Sequence, residues 1–331
     1  MFRLFFSLYP PNSTDIRIFQ RLPGKLQFSL FEGCVGLRGM PVSCWQRKFT
    51  RPRGGRRHMA TQPQAPDANA LKERQLKIWT AGEYARIGNP IAIMGELLCE
   101  AVDLRSGDTV LDVATGSGNT AISAARRFCD VTGMDLAPES IEHARRRAEA
   151  EGMEITFEVG DAEDLSYPDA SFDVVLSTIG VMFCPNQEKA ASELLRVCKP
   201  GGKIGLASWT PDSFTGNMLK TVGKHVPPPP GVKPPSLWGT EERLQELLGE
   251  GVSSLQTERR TYNFRYPSVE HYVEWFREYY GPTVRAFAAL EPEGREALAD
   301  DLRELCDSRN ISGDTTLVAP SEYLEAVAVR R

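Results

Sequence analysis

Short apolar runs alternate with amphipathic stretches along the chain from residue 70 onward. The apolar runs are typical of buried strands and predict five of them, at 108–114, 130–135, 154–160, 171–178 and 203–209. The stretches between them predict helices, and one of these has Pro138 in its first turn and Gly152 just past its end. Strands that alternate with helices indicate an α/β fold with a parallel sheet covered on both faces. In such a fold, ligands bind at the carboxyl ends of the strands.

This alternation breaks down after Trp209. A proline-rich connector at 225–236 precedes a predicted strand at 254–266, and a helical region rich in aromatic residues leads to a last strand at 322–331. We expect these two strands to form the edge of the sheet. A tight hairpin would join them in a few residues, whereas about fifty residues intervene, and insertions of that length are usually functional. We therefore predict a helical cap insertion at 268–315 over the carboxyl ends of the strands.

The first 58 residues differ in charge from the rest of the chain. They carry a net charge of +9, against −14 for the remainder and −5 for all 331 residues. We interpret residues 1–64 as a basic, disordered extension and residues 65–331 as the folded domain, with Met59 as the working start of the protein. A mitochondrial presequence is the alternative interpretation of residues 1–58, because they are rich in arginine and poor in acidic residues.

Composition narrows the class of partner and site. An acidic domain offers no basic surface for nucleic acid, so we expect a small-molecule substrate. No apolar run is long enough to span a bilayer. The seven cysteines include no C-x-x-C pair and the four histidines are scattered, so we predict no metal site. Unpatterned cysteines indicate a reducing compartment, and we predict a cytoplasmic protein unless residues 1–58 direct it to mitochondria.

The stretch VLDVATGSGNTA is typical of a turn that binds a nucleotide. Gly116, Gly118 and Ala121 fit the dinucleotide fingerprint, and Asp135 lies near the spacing expected for an acid that binds a ribose. Asp112 argues against a dinucleotide, because a carboxylate at this strand end repels a pyrophosphate. S-adenosylmethionine carries a cationic ammonium and a cationic sulfonium, so the same carboxylate would attract that cofactor.

Four stretches, taken in order, resemble the successive motifs of the class I S-adenosylmethionine-dependent methyltransferases: VLDVATGSGN, GMDLAPESI, GDAEDLSYPDASFDVVLST and ELLRVCKPGGKIGLASW. The resemblance covers residues 108–209 and is greatest to the branch of the ubiquinone and menaquinone C-methyltransferases. It implies a Rossmann-like, seven-stranded, mostly parallel sheet whose last strand is antiparallel, with S-adenosyl-L-methionine as cofactor. The family usually has glycine where this chain has Ala114, and we expect Ala114 to keep a negative φ.

The predicted cofactor contacts lie on the turns that follow the first four strands. Asp135 would accept the ribose hydroxyls, Asp161 the exocyclic amine of adenine, and the backbone N–H of Ala162 would serve a ring nitrogen. The full predicted set is Asp112, Ala114, Thr115, Gly116, Ser117, Gly118, Asn119, Asp135, Leu136, Asp161, Ala162, Thr178 and Ile179.

The predicted acceptor contacts are aromatic or apolar residues near these turns and in the cap: Tyr84, Met182, Phe183, Trp275 and Tyr280. His271 is the candidate general base. We expect methyl transfer from S-adenosylmethionine to a small molecule, aromatic or quinone-like. The alternatives are an NAD-dependent oxidoreductase and a non-catalytic module that binds the cofactor.

A chain that begins at Met59 should fold and bind cofactor like the full chain, because terminal segments without packing contacts are dispensable. Thermal unfolding and titration with S-adenosylhomocysteine compare the two chains. A melting temperature several degrees lower for the shorter chain would show instead that residues 1–58 stabilise the domain. Import and shortening of the full chain by isolated mitochondria would identify residues 1–58 as a presequence.

Overall fold

A computed structural model describes residues 68–331 of the chain. The extension predicted at 1–64 lies outside the described residues, as does the beginning of the domain predicted at 65–331. Both boundaries therefore stay predictions.

Seven strands form a single sheet. They are β1 Thr109–Val113, β2 Asp130–Asp135, β3 Thr156–Val159, β4 Phe172–Thr178, β5 Cys198–Trp209, β6 Val252–Tyr266 and β7 Leu317–Arg330. Their order across the sheet is β3-β2-β1-β4-β5-β7-β6. The pairs among β1 to β5 are parallel, whereas β7 is antiparallel to both of its neighbours. The expected seven-stranded, mostly parallel sheet with an antiparallel last strand is confirmed.

The position of β7 differs from the expectation that the last two strands form the sheet edge. β7 lies between β5 and β6, so the edges are β3 and β6. Its residues pair with β5 from Val329 to Tyr323 and with β6 along nearly its whole length. Four consecutive residues of β7, from Tyr323 to Ala326, are buried, as in a strand covered on both faces. β6, at the edge, is mostly exposed or half-buried, and only Val252 and Phe264 of this strand are buried.

Eleven α-helices in the described residues surround the sheet. They are α1 Ala68–Trp79, α2 Tyr84–Gly88, α3 Ile93–Ala101, α4 Asn119–Ala125, α5 Pro138–Ala150, α6 Gln187–Val197, α7 Phe214–His225, α8 Glu241–Leu248, α9 Val269–Tyr279, α10 Gly281–Ala289 and α11 Pro292–Arg309. Short 3₁₀ turns occupy Asn89–Ile91, Val181–Phe183, Pro235–Gly239 and Gly249–Gly251. The sequence pattern does not predict α7, because Gly216 and Gly223 weaken its helical signal.

Local sequence explains where several helices begin and end. Pro138 begins α5, and Gly152, with φ of 67°, follows its end. Ser213 and Ser268 cap α7 and α9 by accepting hydrogen bonds from the backbone N–H groups of Gly216 and His271. These capped helices hold the polypeptide that follows β5 and β6 at the carboxyl ends of the strands.

The sheet is packed on both faces because neighbouring residues of the central strands point in opposite directions. Val110 of β1 packs against α3, α4 and α5, whereas Leu111 belongs to the larger core on the other face, which also includes α6, α7 and the cap helices α9 to α11. α9 presents Tyr272 and Phe276 to this larger core.

Within residues 68–331, no helix combines the length and the apolar character needed to cross a membrane.

We predict opposite effects for two glycine substitutions. A Cβ at Gly205 in β5 would lie 2.6 Å from Cγ1 of Val102 and 2.8 Å from Cδ2 of Leu176, so Gly205→Ala should destabilise the fold by about 1–3 kcal/mol. Gly223 in α7 has open space around the same position, so Gly223→Ala should stabilise it by about 0.5–1 kcal/mol. Urea unfolding measures both, and equal effects would contradict the close packing of α3 on β5.

Candidate active site

A cleft lies at the carboxyl ends of the parallel strands, between the turn after β1 and helix α1. It encloses about 750 Å³, part of it open to solvent. Its walls are Lys72, Gln75, Trp79, Tyr84, Ala114, Gly116, Met134, Asp135, Leu136, Ser140, Asp161, Ala162, Glu163, Ile179, Gly180, Phe183, Cys184 and Pro185. Seven of the residues predicted to bind cofactor therefore line one cavity: Ala114, Gly116, Asp135, Leu136, Asp161, Ala162 and Ile179.

The turn after β1 is wound in the left-handed region of backbone space. Gly116 and Gly118 have φ of 55° and 84°, and Ala114 has φ of 56°. The expectation that Ala114 keeps a negative φ is wrong, because the chain must reverse sharply between Val113 and the start of α4. Gly116 also makes room for a neighbour, since a Cβ there would lie 3.0 Å from Cε1 of Tyr84.

A second strained residue faces this turn. Ile179, directly after β4, has φ of 56°, which a β-branched residue rarely adopts. Its backbone N–H donates to the carbonyl of Ala207 at 2.8 Å. The adjacent Gly180 packs closely on the turn, because a Cβ there would lie 2.8 Å from that of Ala114. Two non-glycine residues in sparsely populated conformations, each costing on the order of 1–3 kcal/mol, thus line the same cleft.

Asp135, at the end of β2, shapes the cleft as well as lining it. Its carboxylate accepts a hydrogen bond from the N–H of Gly116 at 2.9 Å and another from the N–H of Ala137 at 2.9 Å. Burial raises the pKa of this carboxyl, and these backbone donors oppose the rise. The carboxylate therefore ties the glycine turn to the beginning of α5.

Asp161, after β3, faces α1 across the cleft. Its carboxylate forms an ion pair of 2.5 Å with Nζ of Lys72 and accepts a hydrogen bond from the N–H of Glu163 at 2.8 Å. The hydrogen bond with Asp161 is the main cause that raises the pKa of Lys72. Glu163 also lines the cleft and accepts from the N–H of Asn186 at 2.6 Å. The mouth of the cleft is thus acidic, with one lysine.

Asp112 lies behind the turn rather than in the cleft. It is 1% exposed, and its carboxylate accepts hydrogen bonds from the hydroxyl of Thr115 at 2.5 Å and the N–H of Ala121 at 3.0 Å. Burial raises the pKa of this carboxyl to about 7. Asp112 therefore fixes the turn against α4. Its contact with the cofactor stays a prediction.

The remaining predicted cofactor residues also support the turn from outside the cleft. The hydroxyl of Ser117 donates to Oδ1 of Asn89 at 2.9 Å, and Nδ2 of Asn119 donates to the carbonyl of Gly88 at 2.7 Å. Thr178 accepts a hydrogen bond from the hydroxyl of Thr120 at 2.8 Å. Thr115 and Gly118 likewise do not line the cleft.

Arg147 is a supporting residue that the sequence motifs do not indicate. Its guanidinium extends from α5 and donates to the carbonyl of Ser117 at 2.6 Å and to Oδ1 of Asn119 at 2.7 Å. The glycine turn is therefore held by a charged group on its outer side.

A smaller, narrow apolar chamber adjoins the cleft. Its volume of about 340 Å³ includes space open to solvent. Its walls are Tyr84, Ile87, Ile91, Ile179, Phe183, Trp209, Thr215, Met218, Phe264, Phe276 and Tyr280. Tyr84, Ile179 and Phe183 line both cavities. The cap helix α9 and the residue after it thus reach the strand ends, as the sequence predicts for the cap.

Three of the five predicted acceptor residues line these cavities, and two do not. Tyr84, Phe183 and Tyr280 line the chamber, whereas Met182 is buried behind it. Trp275 lines neither cavity. It is half-buried against the larger core, and the guanidinium carbon of Arg86 is 5.9 Å from its ring centroid.

The structure places His271, the candidate general base, on the surface at the beginning of α9, and its catalytic role stays a prediction. Its ring is exposed, stacks on that of Trp275 with centroids 5.4 Å apart, and lines neither cavity. Position 271 falls in the first turn of α9, and its ring centroid also lies 6.0 Å from that of Tyr266 at the end of β6.

Helix α1 supplies site residues that the motifs miss. Lys72, Gln75 and Trp79 all line the cleft. Their spacing of three and four residues places them on one helix face, and this spacing is the feature of the sequence that could have indicated them. The indole N–H of Trp79 donates to Oε1 of Gln75 at 3.0 Å, and its ring contacts Phe183 with centroids 5.0 Å apart.

No group of histidine, cysteine or acidic side chains within residues 68–331 is arranged to hold a metal ion.

Comparison with known proteins gives related sequences and a related fold. Residues 110–202 match a family described as a methyltransferase domain. A Mycobacterium tuberculosis protein described as uncharacterised is 38% identical over 251 residues, which cover 74% of this chain and 90% of that protein. A demethylmenaquinone methyltransferase of Thermus thermophilus is 40% identical over 116 residues, 34% of this chain and 53% of that protein.

Among solved structures, the YcgJ protein from Bacillus subtilis has a TM-score of 0.50 and 19% sequence identity, covering 71% of this chain and 97% of that one. This likeness shows a shared fold.

The buried carboxyl of Asp112 predicts a pH dependence of stability. Its pKa is about 7 in the fold against an ordinary 3.8, so between these values the folded chain keeps a proton that the unfolded chain has lost. Stability should therefore fall as the pH rises through this window, by up to about 4 kcal/mol. Asp112→Asn does not titrate and should escape the loss.

Urea unfolding of both proteins at pH 5 and pH 8 measures the effect. Groups elsewhere titrate alike in the two proteins, so the difference between them isolates Asp112. We expect the wild type to lose about 2–3 kcal/mol relative to Asp112→Asn over this interval. Parallel dependences on pH would contradict a protonated Asp112.

Proposed function

Because this chain belongs to the class I S-adenosylmethionine-dependent methyltransferase family, we propose that it binds S-adenosylmethionine in the cleft and transfers its methyl group to a small molecule. The observation that carries the proposal is the convergence of two carboxylates and a glycine turn on one cavity. Asp135 and Asp161 follow adjacent strands and line the cleft together with Gly116.

The chemistry of these groups fits the cofactor. Ribose hydroxyls and the exocyclic amine of adenine are hydrogen-bond donors, and carboxylates are acceptors. Asp135 would hold the ribose and Asp161 the adenine amine, while the side chains of Leu136, Ala162 and Ile179 offer apolar surface for the base. Gly116, without a side chain, leaves room for the ring of Tyr84 in the same cleft.

The bound cofactor supplies an electrophilic methyl group on a good leaving group. The chain's own residues then orient the reactants and exclude water, and positioning of this kind can lower a barrier by about 7–11 kcal/mol. Trp79 covers the cleft from α1, and its ring packs against Phe183 and Tyr280. These three rings form an aromatic wall where the cleft and the chamber meet.

The oxidoreductase alternative needs the turn to receive a pyrophosphate, and three of the backbone N–H groups there are already engaged. The N–H of Gly116 donates to Asp135, that of Gly118 to the carbonyl of Thr115, and that of Ala121 to Asp112. These contacts favour a cofactor without phosphate.

Two supporting points concern the acceptor and the compartment. The similarity to demethylmenaquinone methyltransferase, over about half of that protein, supports a quinone-like acceptor. The five cysteines within residues 68–331 are unpaired, which supports a reducing compartment such as the cytoplasm.

Calorimetric titration with S-adenosylhomocysteine and with NADH tests the proposal. S-adenosylhomocysteine should bind with a dissociation constant in the micromolar range, roughly −8 kcal/mol. Binding of NADH without binding of S-adenosylhomocysteine would favour the oxidoreductase. Transfer of labelled methyl to a component of a cell extract separates an enzyme from a non-catalytic module.

Asp135→Ala should weaken the binding of S-adenosylhomocysteine by about 1.5–3 kcal/mol, because it removes charged acceptors of hydrogen bonds. Asp130→Ala is the matched control, since it changes an exposed aspartate at the opposite end of the same strand. Isothermal titration of the three proteins measures the effect. Equal affinity in wild type and Asp135→Ala would remove Asp135 from the cofactor site.

A further inference from the structure

The walls of the chamber carry no ionised side chain. No aspartate, glutamate, lysine, arginine or histidine is among the described residues that line it. Six of its eleven residues are phenylalanine, tyrosine or tryptophan, and most of the others are aliphatic. A charged group placed here would lose its hydration without gaining a counter-charge.

Three hydroxyls, besides the indole N–H of Trp209, are the polar side-chain groups of this chamber. Oγ1 of Thr215 is 3.0 Å from Oγ of Ser321, so that hydroxyl has a partner. The hydroxyls of Tyr84 and Tyr280 have no hydrogen-bond partner within residues 68–331. Three polar side-chain atoms within residues 68–331 are fully buried without a hydrogen-bond partner, and neither tyrosine hydroxyl is one of them. Both hydroxyls therefore contact open space, although Tyr280 as a whole is only 4% exposed.

The two tyrosines are suited to donate rather than accept a proton. Burial is the main cause that raises the pKa of each hydroxyl. The carboxylate of Asp135 raises the pKa of Tyr84 further, and Tyr84 raises the pKa of Tyr280 further. Both stay protonated at neutral pH and present O–H groups to whatever occupies the chamber. The ring of Trp79 packs on both, at centroid distances of 5.7 Å from Tyr84 and 6.2 Å from Tyr280, and holds the pair in place.

We infer that the chamber receives the methyl acceptor, and that this acceptor is an uncharged, flat, apolar molecule whose oxygen accepts hydrogen bonds from Tyr84 and Tyr280. The inference rests on the proposed function, since it concerns the second substrate of the same site. Three residues line both cavities, so a molecule in the chamber lies next to the cleft. Phenols, quinols and enols fulfil these requirements, whereas carboxylates, phosphates and ammonium compounds do not.

Three ligands of equal ring size test the inference: 2-naphthol, naphthalene and 2-naphthoate. Equilibrium dialysis measures the binding of each to the full chain saturated with S-adenosylhomocysteine. We expect 2-naphthol to bind about tenfold more tightly than naphthalene, which corresponds to about 1.4 kcal/mol. 2-Naphthoate should bind at least a hundredfold more weakly than 2-naphthol, because its carboxylate would lose hydration in the chamber.

Tyr280→Phe is the decisive variant, because Tyr280 lines the chamber and not the cleft. It should reduce the preference for 2-naphthol over naphthalene about threefold to tenfold and leave the affinity for S-adenosylhomocysteine unchanged. Tyr272→Phe is the matched control, since Tyr272 is equally buried in the same aromatic cluster but does not line the chamber. It should keep the preference of the wild type.

Several results would overturn the inference while leaving the proposed function intact. Normal binding of S-adenosylhomocysteine without binding of any naphthalene compound would show that the chamber is not the acceptor site. Equal affinity for 2-naphthol and naphthalene, or an unchanged preference in Tyr280→Phe, would exclude the tyrosine pair as donors. Tight binding of 2-naphthoate would contradict an uncharged acceptor. If the wild type does not bind S-adenosylhomocysteine, the result would instead contradict the proposed function itself.

Discussion

The carboxylate of Asp135 accepts one hydrogen bond from the turn after β1 and another from the beginning of α5. These two bonds fix the glycine turn against the end of the neighbouring strand, so that turn backbone and carboxylate face the same cleft. Arg147 secures the turn from its outer side. The N–H of Gly116 is one of the groups that would bind a phosphate, and it already donates to this carboxylate. The interaction that shapes the cleft therefore favours a ligand without phosphate.

The turn can keep an unfavourable backbone only because its surroundings are rigid. Ala114 and Ile179 both have positive φ and both border the cleft. Glycine at 180 allows the two segments to meet, and the bond from Ile179 to the carbonyl of Ala207 holds the residue after β4 to β5. Strain of this kind persists where the neighbouring structure determines the conformation, and it gathers here at the carboxyl ends of the strands.

Sequence predicts the parts of this site that depend on local pattern. The strands, the glycine turn and the acids at 135 and 161 follow from apolar runs and motif order, and the structure brings them to one cavity. It does not predict which way Asp112 points, because one carboxylate at a strand end can face either the cleft or the helix behind it. Nor does it place β7 inside the sheet, since strand order is set by long-range pairing.

The two cavities are closed by segments from opposite ends of the described chain. Backbone of the α1–α2 connection packs directly on the α9–α10 junction, since a Cβ at Gly82 would collide with the carbonyl of Tyr279, and one at Gly281 with the carbonyl of Ile78. A contact this close leaves no room for α1 and the cap to slide independently. A displacement of α1 would therefore also displace the α9–α10 junction, whose Tyr280 lines the chamber.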